Sequence, residues 1–288
     1  MKRVRFFGKR NVPVRPRRRK VDLKKTLFIL PNLITLSSVF CGFNSIRLAG
    51  KATGDDDGDF YRASIMLVFA LIFDMLDGRV ARMTKTQSAF GLQIDSLADV
   101  VSFGVAPALL IYRWSLYQAG DFGIVVAFIF CGAGAVRLAR FNVLSMGESG
   151  QPTKPSKFIL GLPVPGAAGV LISVIIANHA HLIATGGAAK SLAAPAYLGA
   201  FIFITLVLSF FMVSTIKFRS FKELKLNAGT IALVVFIIAS SIAISVHWSP
   251  AFVLVWLLGF YVAIGLIETV FRIFRPAREK RASLPPGS

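Results

Sequence analysis

Asp74, Asp77, Asp95 and Asp99 are the residues whose type and spacing point most directly to chemistry. Asp74, Asp77, Gly78, Ala81 and Arg82 stand at i, i+3, i+4, i+7 and i+8, one face of a helix. Gly91, Asp95 and Asp99 stand at i, i+4 and i+8, again one face. Both rows lie in or at the ends of apolar runs. Each charged Asp near a bilayer centre costs roughly 2.5–3.5 kcal/mol on insertion scales, so four without partners would cost on the order of 10 kcal/mol. Such a cluster needs cations or a wet cavity. Two divalent ions would balance four carboxylates, and oxygen-only ligands suit magnesium, manganese or calcium better than zinc. A pair of such ions about 3.5–4 Å apart clamps displacements at phosphorus. Gly78 and Gly91 leave room for a bulky anion to approach the backbone, and Arg82 offers a planar fork suited to phosphate. A proton relay or cation pathway in a transporter is the alternative use of the same carboxylates.

The elements that must position these residues are apolar. The chain has 288 residues, 55% hydrophobic and 16% charged, with a mean hydropathy of +0.67. Soluble domains carry about a quarter charged residues. Here the apolar residues come in runs of about 20, the length that crosses ~30 Å of hydrocarbon as a helix. A soluble enzyme, a disordered chain and a disulfide-stapled domain are excluded, and Cys41 and Cys131 lie in separate runs.

The runs predict an all-α polytopic membrane protein with eight transmembrane helices, at 27–49, 61–82, 91–113, 121–141, 160–181, 195–216, 228–248 and 251–272. Of 33 Lys and Arg, 12 lie before residue 26. Connections on that side carry most of the rest, and the opposite side holds only Arg47, Lys51, Arg62, Arg113 and Lys190. By the positive-inside rule both termini are cytosolic. The net charge of +19 then reads as a topology signal with affinity for anionic lipids, not nucleic acid. The expected organisation is a basic segment over 1–26, a membrane core over 27–225, two further helices over 226–274 and a basic tail over 275–288. The N-terminal segment lacks the pattern of a cleaved signal peptide. The acidic turn Asp55-Asp56-Asp57-Gly58-Asp59 lacks calcium-loop spacing and faces outward. The connection from Met83 to Phe90 is short, which predicts that the second and third helices are antiparallel neighbours whose acidic faces meet. Asp77 would approach Asp95, with Asp74 and Asp99 deeper.

The string Asp74-x2-Asp77-Gly78-x2-Ala81-Arg82-x8-Gly91-x3-Asp95-x3-Asp99 resembles the complete signature of the CDP-alcohol phosphotransferases. That resemblance implies a six-helix core, commonly dimeric, with the four aspartates as ligands of two divalent ions (magnesium or manganese) and Asp99 as general base. It also implies CDP-lipid contacts at Gly78, Ala81, Arg82, Ser88 and Gly91. Flanking stretches are similar to those of the bacterial integral-membrane phosphatidylserine synthase branch. They are Leu30-Pro31-Asn32-Leu33-Ile34-Thr35, Cys41-Gly42-Phe43, Ser102-Phe103-Gly104-Val105-Ala106-Pro107, Arg137 to Asn142, and Phe158 followed by Gly161-Leu162-Pro163-x-Pro165. The implied substrates are CDP-diacylglycerol and L-serine, and the implied setting is a bacterial inner membrane with the site facing the cytosol. Inositol phosphate or glycerol phosphate are alternative acceptors.

Arg137 and Arg140, one face at the end of the fourth span, suit a carboxylate or phosphate, or simply mark the membrane boundary. Lys154 and Lys157 read as loop charges. Asn32 and Thr35 are either nucleotide contacts or polar groups satisfied by neighbouring helices. Gly132-Ala133-Gly134 reads as helix packing, because no strand precedes it and a third Gly is missing. His179, His181 and His247 fall on the outer side, and Glu268 has no assigned role.

Overall fold

The computed structural model describes residues 23–52, 57–86, 88–145, 159–187, 191–215, 217–218, 228–247 and parts of 252–264. The basic N-terminal segment, Asp55, Asp56, Lys154, Lys157, Phe158, most of the last expected span, Glu268 and the basic tail lie outside the described residues.

Apolar runs of helical length fold as helices, because a chain in hydrocarbon must satisfy its own backbone. In order they are α1 (Leu23–Lys51), α2 (Asp57–Met83), α3 (Ala89–Asp99), α4 (Ala106–Trp114), α5 (Asp121–Ser145), α6 (Val164–Ala184), α7 (Leu198–Val213) and α8 (Ala228–His247). A π-helical turn, Val100–Val105, joins α3 to α4 in one rod. A two-residue antiparallel pair, Ile159–Leu160 with Lys217–Phe218, ties the chain entering α6 to the chain leaving α7. Gly161 adopts φ +74 there, and a Cβ would lie 2.5 Å from the Met212 carbonyl, so only glycine fits.

Among the described residues, five helical segments are long and apolar enough to cross a membrane: Ile29–Lys51, Ala89–Trp114, Asp121–Leu144, Val164–Ala184 and Pro195–Val213. Phe40, Phe43, Phe128, Phe203 and Phe210 are exposed on these helices, as lipid-facing side chains are. The protein is a polytopic integral membrane protein. α2 is 27 residues long, but Asp59, Arg62, Asp74, Asp77, Arg79 and Arg82 keep it from qualifying on composition.

The core runs along α1, α2, α4, α5, α6 and α7, with Phe103, Trp114, Phe130 and Leu67 among its largest buried side chains. α1 packs closely along α2 and also against α3 and the π turn. α2 approaches the π turn and α4, but its backbone makes little or no close contact with α3. The third expected span, 91–113, comprises α3, the π turn and α4, and it neighbours α2 through the π turn and α4, as the short connection predicts. α1 packs against both acidic helices. Small residues permit close contacts elsewhere. A Cβ on Gly134 would lie 4.0 Å from the Gly104 Cα and 3.3 Å from Val164, which makes this glycine of α5 a packing contact.

Candidate active site

The turn between the acidic helices is built by local rules. Lys85 adopts φ +55. Its N–H donates to the Arg82 carbonyl (3.3 Å), and the Thr86 N–H donates to the Ala81 carbonyl (3.0 Å). This pair of bonds around a left-handed residue is the Schellman arrangement that ends a helix. Ala81 thus contributes its carbonyl to the reversal. Ser88 then caps α3, its hydroxyl accepting the Gly91 N–H at 3.0 Å. A Cβ on residue 91 would lie 3.2 Å from that hydroxyl, so Gly91 gives the cap its room. The carboxamide oxygen of Asn32 lies 3.9 Å from the same point, which puts Asn32 beside the first turn of α3.

Beyond this turn, Asp74, Asp95 and Asp99 come together. One carboxylate oxygen from each lies within 4.8 Å of the other two, and the Asp74 and Asp99 carboxyls are within hydrogen-bonding reach. Opposite oxygens on one magnesium ion are about 4.2 Å apart, twice a 2.0–2.1 Å bond. Small side-chain rotations would let this trio share a hard cation, so the donor set fits one. Among the described residues no Lys or Arg forms an ion pair with these aspartates; the ion pair found there is Arg62–Asp59, near the far end of α2. Among the described side chains, none balances the cluster's charge through an ion pair.

Asp77 stands beside this trio. It is buried, and its Oδ2 accepts a 2.6 Å hydrogen bond from the Thr35 hydroxyl of α1. It remains near enough to Asp74 and Asp95 for their charges to repel, and to Arg82 for attraction. Arg82 folds back along Gly78, its Nη1 3.5 Å from where a Cβ would sit. The space over Gly78 is thus shared with the guanidinium.

The end of α5 lies against α3. Ser96 donates to the Asn142 side-chain oxygen at 3.0 Å, and Asn142 donates to Gln93 at 3.4 Å. Arg140 donates from Nη1 to the Val213 carbonyl at 2.8 Å, which caps the C-terminus of α7. Arg137 is buried one turn before it. His179 is remote: it stacks on Tyr61, near the opposite end of α2, at a 4.3 Å ring separation.

Sequence reasoning missed Ser38 and Ser102. Their hydroxyls tie α1, α2 and the π turn together one helical turn from the aspartates. The available signal was Pro107. It cannot donate to the carbonyl four residues back, and its ring crowds that carbonyl, so a helix running through it must widen or kink. The chain widens instead: the Ala106 N–H reaches back five residues to Val101.

The sequence model of the CDP-alcohol phosphatidyltransferase family matches residues 28–193, which contain every aspartate of the cluster and the helices that carry them. The chain belongs to this family. It is 37% identical over 257 residues to a Helicobacter pylori CDP-diacylglycerol–serine O-phosphatidyltransferase, covering 89% of this chain and 98% of that protein. A Methanocaldococcus jannaschii protein of the same name is 31% identical over 205 residues, 71% of this chain and 83% of its own. An archaetidylserine synthase of Methanothermobacter thermautotrophicus is 42% identical over 153 residues, 51% of this chain and 58% of its own.

Proposed function

We propose that this protein transfers the phosphatidyl group of CDP-diacylglycerol to the hydroxyl of L-serine, giving phosphatidylserine and CMP. The observation that carries the reading is the convergence of Asp74, Asp95 and Asp99 within 4.8 Å, uncompensated by protein cations among the described residues. The relatives' names support serine as acceptor. Those named for phosphatidyl and archaetidyl lipids differ in the lipid half and agree on serine.

Asp74, Asp77, Asp95 and Asp99 would hold two divalent ions, magnesium or manganese. When bound, these ions supply charge neutralisation to the diphosphate and to the departing CMP. Asp99 accepts the proton of the serine hydroxyl as its oxygen bonds to the lipid-side phosphorus and the bond to the CMP oxygen breaks. An ordinary Asp, pKa about 3.9, is a weak base near neutrality, so in-line placement of the serine oxygen carries much of the rate. Thr35 fixes one oxygen of Asp77. Arg82, Gly78, Asn32 and the α3 N-terminus at Ser88 and Gly91 line the side from which a diphosphate would enter. Arg137 receives the serine carboxylate, whereas Arg140 is committed to α7.

The proposed setting follows the charge pattern: eight spans including α2, with the acidic ends of α2 and α3 and both termini cytosolic, in a bacterial inner membrane. The basic termini rest on anionic lipid, and the protein works as a homodimer. CDP-diacylglycerol then keeps its acyl chains in the bilayer while cytidine and serine arrive from water. The test is CMP release by detergent-purified protein given CDP-diacylglycerol, magnesium or manganese, and each acceptor alone. Serine-dependent release supports the reading. Release only with inositol phosphate or glycerol phosphate reassigns the acceptor, and no release with any acceptor overturns it.

A further inference from the structure

α2 and α3 make little backbone contact, so the distance between their aspartates depends on the place where α2, α1 and the π turn meet, one turn from the carboxylates. Two buried hydroxyls join these three elements there. Ser102, in the π turn three residues after Asp99, donates its hydroxyl to the Ser38 carbonyl of α1 at 3.1 Å. Ser38 donates its own hydroxyl to the Ala70 carbonyl of α2 at 3.2 Å, and its oxygen lies 3.4 Å from that of Ser102. In the helical ladder the Ala70 carbonyl is also the one facing the Asp74 N–H, four residues on. A chain of bonds therefore runs from the backbone that carries Asp74, across α1, to the backbone just beyond Asp99.

Steric contact reinforces it. A Cβ on Gly42, one turn along α1 from Ser38, would lie 2.9 Å from the Ser102 Cα, so α1 and the π turn are already at closest approach. Both serines are buried. Simple packing would be served by alanine, without the cost of dehydrating two hydroxyls. The polar choice gives the junction direction as well as contact, and directional bonds hold a separation that lipid-soft packing would let drift.

We propose that α1 is the spacer of the carboxylate cluster and that Ser102, acting through Ser38 and the Gly42 contact, is a positioning residue for Asp74 and Asp99. The inference rests on the metal-holding role given to these aspartates above. Ser102 touches no reacting atom.

The test is manganese affinity of the full-length protein in detergent, read from the free-ion electron paramagnetic resonance signal, beside the melting temperature of the same samples without metal. The variants are Ser102→Ala, Ser38→Ala and Gly42→Ala, with Gly50→Ala as control. Gly50 lies on the same helix, and a Cβ there would meet nothing within 4 Å. Ser102→Ala and Ser38→Ala are expected to weaken manganese about tenfold, the scale of losing a group that orients a metal ligand. The double variant should lose little more than either alone, since both break one chain. Gly42→Ala should weaken it at least as much, and Gly50→Ala should match wild type. Variants that melt earlier yet hold manganese at wild-type affinity reduce the junction to packing and overturn the proposal. A wild-type protein that binds no manganese overturns the metal reading and this inference with it, whereas wild-type binding that all variants share overturns this inference alone.

Discussion

Replacing Thr35 by valine tests whether the α1 hydroxyl tunes the acidic cluster. Valine has nearly the shape of threonine but puts a methyl group in place of the hydroxyl, so Asp77 loses its donor. The bond lost is 2.6 Å long, from a buried hydroxyl to a buried carboxylate. Hydrogen bonds to charged groups contribute about 1.5–3 kcal/mol. The same hydroxyl also lies 3.1 Å from the Pro31 carbonyl, but it has one proton, and the shorter, charge-assisted contact claims it. Carried fully into the transition state at 1.36 kcal/mol per decade, the loss lowers kcat/KM by about 10- to 150-fold. The assay is serine-dependent CMP release at saturating metal, with the melting temperature as a check on folding. Thr35→Ser keeps the donor and should stay within about threefold of wild type. A folded Thr35→Val protein within twofold of wild type would refute the reasoning. So would a serine variant no better than valine, since the methyl group would then be what matters.

Asp95→Asn or Asp99→Asn should reduce CMP release by more than about 100-fold, beyond the loss expected for groups that merely orient a ligand; chromatographic behaviour and melting temperature should remain near wild type. Arg137→Ala should raise the serine KM about tenfold, the scale of one charge-assisted bond, with the CDP-diacylglycerol KM little changed; an unmoved serine KM would remove Arg137 from the acceptor site. Stripping divalent ions with a chelator should abolish turnover, and adding back magnesium or manganese, but not sodium, should restore it. Lys85→Gly should raise unfolding stability by about 1 kcal/mol while turnover persists, because a left-handed conformation costs a non-glycine residue about that much; a fall in melting temperature would show that the lysine side chain has a structural partner.

Much of this protein was legible in its sequence because the deciding forces are local or set by the solvent. Hydrocarbon admits only segments that satisfy their own backbone, so apolar runs had to become helices. Helical periodicity alone placed Asp74 with Asp77, and Asp95 with Asp99, each pair on one face. The aspartate signature needed no tertiary information, and the family match over residues 28–193 agrees with it. Local end signals were readable too, though the sequence reading gave Ser88 and Gly91 to the ligand. The structure uses them first to cap α3.

What only the tertiary structure decided is how the two acidic rows face each other. The short connection made the second and third spans neighbours, but where they and α1 approach most closely depends on which small residues meet: Gly42 at Ser102 and Gly134 at Gly104. No periodicity reveals such partners, since they are 60 and 30 positions apart. The same is true of Thr35, whose hydroxyl could have served a ligand or a neighbour until folding brought Asp77 beside it. Sequence specified which faces are acidic through bonds that span one turn. Their separation is set by contacts across the bundle, and a linear pattern does not encode a distance.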